Sequence, residues 1–110
     1  MINNMNDLIE EIQNIIFSFV EFKPCTKKEL QTAVNLWCEH KEKALNQYGH
    51  ISTWNVSQIT DMSSLFYDKK EFNDDISNWD VSNVTNMSHM FCYVHLFNQP
   101  LNKWNVSNVK

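Results

Sequence analysis

From residue 51 onward the apolar positions follow one ladder twice. It runs Ile51, Trp54, Val56, Ile59, Met62, Leu65, Phe66, Phe72, then Ile76, Trp79, Val81, Val84, Met87, Met90, Phe91, Phe97. A third pass begins Leu101, Trp104, Val106, Val109 and stops at Lys110. Trp54, Trp79 and Trp104 therefore recur every 25 residues, each opening nearly the same phrase. A period of roughly 20 to 50 residues marks a repeat array, in which each unit buries its apolar side only against its neighbours. The mixed steps of two and three suit neither a long helix nor one alternating strand. They predict a coil with a short strand within residues 74–79 and their equivalents and a short helical or 3-10 turn over 62–67, repeated at 87–93.

Before residue 51 the period is helical. Met5, Leu8, Ile9, Ile12, Ile15, Ile16, Phe19 and Val20 step by threes and fours and predict an amphipathic helix over 3–20, closed by Pro24. Thr26-Lys-Lys-Glu29 has the form of a capping box. Leu30, Ala33, Val34, Trp37 and Cys38 make one stripe behind it, and Ala44, Leu45 and Tyr48 another. A break is expected near His40, and Gly49 stands at a left-handed C-cap position. The expected division is a helical region and cap over 1–50 and a repeat array over 51–110.

The phrase Phe72-Asn-Asp-Asp-Ile-Ser-Asn-Trp-Asp-Val-Ser-Asn-Val-Thr-Asn-Met-Ser-His-Met-Phe91, continued by Phe97-Asn-Gln-Pro-Leu-Asn-Lys-Trp-Asn-Val-Ser-Asn-Val109, resembles the BspA-like leucine-rich-repeat family. The resemblance covers about residues 22–110. It implies an α/β solenoid: an N-terminal helical cap, then a short leucine-rich-like array of two full 25-residue repeats and the start of a third. Members occur among bacterial surface lipoproteins, protists and large DNA viruses. The implied role is protein–protein contact or adhesion rather than catalysis.

Composition narrows the function further. The formal net charge is −4, all nine basic residues are lysines, and there is a single glycine. No basic field or arginine fork is present for nucleic acid, and no glycine-rich phosphate loop is possible. Three widely spaced cysteines without a Cys-x-x-Cys suit free thiols in a reducing compartment. No signal peptide is visible, which points to an intracellular or virion setting, and the apolar run before Phe22 is too polar for a membrane span.

Each candidate site has a structural reading beside it. The repeated Trp residues read as a core spine rather than a binding stripe, provided each indole N–H finds an acceptor. The repeated Asn and Ser residues read as caps for coil backbone rather than sugar or ion ligands. The sequons at Asn55, Asn83, Asn86 and Asn105 are by-products of the phrase. His89, Cys92 and His95 could form a metal triad, but no fourth ligand has standard spacing. The pairs Glu10/Glu11 and Asp74/Asp75 are adjacent residues that do not share a face.

No catalytic residue, metal or cofactor is expected. The expected function is a non-enzymatic interaction or structural module within a larger assembly, such as a large DNA virus particle. Its contact surface is expected at Leu101, Trp104, Val106 and Val109 in the last coil, and at Ile12, Ile16 and Phe19 on the first helix. A protein partner or self-association would cover them. A surface adhesin or glycan-binding fragment is the alternative.

Overall fold

The computed structural model describes residues 21–110; the helix expected over 3–20, with Ile12, Ile16 and Phe19, lies outside them. Helix α1 spans Lys27–Glu39, helix α2 spans Lys41–Tyr48, and a 3-10 turn follows at Ile51–Thr53. Thr26 caps α1 by accepting the Glu29 amide at 3.1 Å. Its hydroxyl turns to the Glu29 carboxylate at 3.3 Å, so the box closes side chain to side chain. Leu30, Ala33, Val34 and Trp37 are the buried stripe of α1. His40 ends the helix, its amide reaching the Leu36 carbonyl at 2.7 Å, and α2 restarts at once. Gly49 ends α2 with φ 79°, a region where any Cβ is penalised.

The rest of the chain stacks in layers. Residues 51–60 form a lower part-layer resting on the helices, residues 61–85 a middle layer and residues 86–110 an upper one. Within layers the same i→i+3 turns recur: Ile59 to Val56, Val84 to Val81 and Val109 to Val106. Asn55, Asp80 and Asn105 each accept the amide two residues on, from Ser57, Ser82 and Ser107, at 3.0–3.1 Å. These side chains satisfy coil backbone that has no regular partner.

Between layers the bonds run both ways, each set from its own stretch of the repeat. Met62, Ser64, Phe66 and Asp68 donate their amides upward to the carbonyls of Asn86, Ser88, Met90 and Cys92, at 2.9–3.0 Å. The Trp79 and Trp104 indoles donate downward to Ile51 and Ile76 at 2.8 and 3.0 Å. Asn83 and Asn108 donate downward to the Ser57 and Ser82 carbonyls. At the bottom, α1 replaces a preceding layer: Gln31 Nε2 reaches the Leu65 carbonyl at 2.9 Å, and Lys27 reaches Ser63 Oγ at 2.8 Å.

The expected α/β solenoid does not form. Among the described residues there are two α-helices and no strand or sheet, only an isolated parallel bridge between Asp61 and Asn86. This also overturns the leucine-rich-repeat solenoid architecture. Residues 74–79 are not a strand, and residues 62–67 and 87–93 are tight turns rather than helix. The cause is local. Ser64, Asp68, His89 and Tyr93 have φ of 57–61°, so positive-φ kinks interrupt both ladder segments. The chain alternates interlayer bonds with turns and never sustains the extended run a strand requires.

The core is one cluster running through all layers. Trp54 and Trp79 are each 3% exposed and stack with ring centres 6.3 Å apart. Phe66 is fully buried and stacks with Phe72, Phe91 and Trp79. Burying each such side chain stabilises by about 1.5–3 kcal/mol, gained here from contacts both within a layer, as Phe66 with Phe72, and between layers, as Phe66 with Phe91.

Candidate interaction surface

The upper layer repeats the middle one, and among the described residues none lies above it. Ile76, Trp79, Val81 and Val84 are at most 3% exposed. Their equivalents Leu101, Trp104 and Val109 are only partly buried, and Val106 is 48% exposed. Met87, Phe91 and Phe97 are likewise half-buried where Met62, Phe66 and Phe72 are buried. Of the four C-terminal candidates, Leu101 and Trp104 pack against the core cluster while Val109 is half-buried and Val106 exposed; Ile12, Ile16 and Phe19 lie outside the described residues.

Polar groups accompany this apolar face. In the middle layer the amides of Met62, Ser64, Phe66 and Asp68 are taken by the layer above. The equivalent amides of Met87, His89, Phe91 and Tyr93 have no acceptor among the described residues. His89 and Tyr93 keep the left-handed backbone of Ser64 and Asp68, so the row is already shaped. Sequence reasoning missed this row, because backbone direction leaves no mark on side-chain pattern. It also missed a flank of exposed side chains, Tyr67, Tyr93 and Leu96, where the two tyrosine rings meet edge to face at 5.6 Å.

The other candidates are occupied structurally. Asp74 accepts the Trp37 indole at 2.9 Å and Lys41 at 3.1 Å, while Asp75 caps Ser77, so the two carboxylates face different partners. Asp74, Trp37 and Lys41 line an open cleft of about 580 Å³ together with Cys38. Cys38 is exposed as a residue, yet desolvation by the surrounding protein dominates and pushes its thiol up to about 11, with Lys69 opposing. A thiol held protonated is a poor nucleophile. Among the described residues no three His, Cys, Asp or Glu side chains converge as metal ligands, His89, Cys92 and His95 included. Asn73 accepts the Asn98 amide at 2.7 Å, a backbone role.

A family model described as "Mycoplasma protein of unknown function, DUF285" matches residues 27–110. No curated protein and no solved structure matches the chain. None of this supports the viral setting expected from the resemblance. The matched stretch takes in both helices and every layer, and the chain belongs to the DUF285 family.

Proposed function

We propose that the chain is a non-enzymatic protein–protein interaction or structural module, and that its contact face is the top of the upper layer. One observation carries this reading: Leu101, Trp104, Val106 and Val109 are partly open where their equivalents one repeat earlier are sealed. A contiguous apolar patch backed by unpaired amides favours a macromolecular partner over solvent. In the cleft beside Trp37, Asp74 is committed to the Trp37 indole and the Lys41 ammonium.

The test starts with immobilised chain and an extract of its native source. A retained protein is then purified and titrated against the chain by calorimetry. Trp104→Asp is expected to weaken that binding at least ~10-fold, or about 1.4 kcal/mol. Tyr67→Ser, on the flank, should leave it unchanged. Circular dichroism checks that both variants keep the wild-type spectrum. Equal affinity for Trp104→Asp and wild type would overturn the reading.

A further inference from the structure

The geometry points to a definite class of partner for this face: a polypeptide segment carrying the same repeat phrase, laid on the upper layer in parallel, one repeat out of register. This rests on reading the upper layer as a docking face, and adds the chemistry that face selects.

The upper layer offers the four upward amides of Met87, His89, Phe91 and Tyr93. A segment equivalent to residues 61–85 answers them with the carbonyls of the residues equivalent to Asp61, Ser63, Leu65 and Tyr67. The face also offers acceptors. The Leu101 carbonyl stands where Ile51 and Ile76 each accept an indole N–H from the layer above. The Ser107 carbonyl stands where Ser57 and Ser82 each accept an Asn carboxamide. A partner Trp and a partner Asn four residues later, as in Trp79 and Asn83, meet both while the indole seals Trp104. An arbitrary apolar surface supplies neither the donors nor the spacing.

A second copy of this chain does not supply them. The matching carbonyls and indoles belong to the underside of a layer. In a second copy the underside of the middle layer lies against α1, with the Leu65 carbonyl taken by Gln31 and the Ser63 hydroxyl by Lys27, and its Trp79 indole is taken by Ile51; the underside of the upper layer is held by the middle one. The occupant is therefore a phrase-bearing segment whose underside is free.

The test tethers a copy of residues 61–85 to Lys110 of the full chain through a Gly/Ser linker of about ten residues, long enough to act as a partner at roughly millimolar effective concentration. A scrambled tether is the control. Amide exchange by NMR is expected to slow at least ~10-fold at Met87, His89, Phe91 and Tyr93, and Trp104 emission to shift to the blue. With Trp replaced by Ala in the tether, the protection should fall. If the four amides exchange as fast as with the scrambled tether, the inference is overturned. A blue shift without protection also overturns it, while leaving the docking face standing as a nonspecific apolar one.

Discussion

The indole of Trp79 donates to the carbonyl of Ile51 at 2.8 Å, across a layer boundary. The same carbonyl accepts the Trp54 amide, and Trp104 repeats the bond to Ile76 at 3.0 Å. Trp79→Phe keeps an aromatic ring but drops the donor and part of the buried surface. It should destabilise by about 1–3 kcal/mol. Trp104→Phe, on the half-open layer, should cost less. Urea denaturation followed by circular dichroism measures both.

Phe66 and Phe91 occupy equivalent positions and stack nearly parallel, 5.6 Å apart. Phe66 has packed neighbours on both sides, whereas Phe91 has them on one. Phe66→Ala should cost about 3–5 kcal/mol through lost burial and the cavity left behind. Phe91→Ala should cost clearly less. Equal losses would contradict a core built by layering.

Asp80 is held below the ordinary carboxylate range, first by the Ser82 hydroxyl and then by the Ser82 amide. Asp61 is lowered chiefly by the Ser63 amide, and Asp75 by the Ser77 hydroxyl. A lowered folded-state value means that the stabilisation is complete above the ordinary aspartate range. It is lost as pH falls through the lower folded value. Asn55 and Asn105 make the same turn without a charge. Asp80→Asn keeps the turn but loses the charge-assisted share of these bonds, so it should lower neutral-pH stability slightly and make the acid-side decline shallower. Urea midpoints across a pH series test the sign.

Cys25 and Cys38 are both free. With its thiol pushed up to about 11, Cys38 carries at pH 8 roughly a thousandth of its population as thiolate. Alkylation at that pH should label Cys25 well before Cys38, as peptide mapping would show.

The helices were legible because their signals are local. The Thr26 cap, the stripe from Leu30 to Trp37, the break at His40 and Gly49 each act within one or two turns. The Trp spine was legible because repetition exposes it. The absence of strands was not, since an apolar ladder with β-rich residues does not reveal its backbone. Positive φ is announced most clearly by Gly, but here it falls on Ser64, Asp68, His89 and Tyr93, of which only Asp68 and His89 belong to the side-chain types enriched there. Leu101, Trp104, Val106 and Val109 could be singled out by comparison with earlier repeats, whereas the amide row depends on which way the peptide planes point.

The substitution of α1 for a layer beneath Leu65 gives the molecule two unlike ends. At the helical end, side chains of α1 meet the layer above, Gln31 at the Leu65 carbonyl and Lys27 at the Ser63 hydroxyl. Every layer above has the same groups on top as the one below it, so a tandem duplication of one whole repeat would lengthen the protein without repacking what already exists. A duplication of any other length would put Trp over a turn and Asn over a ring. A whole repeat is therefore the unit of length change that this interior accommodates without repacking.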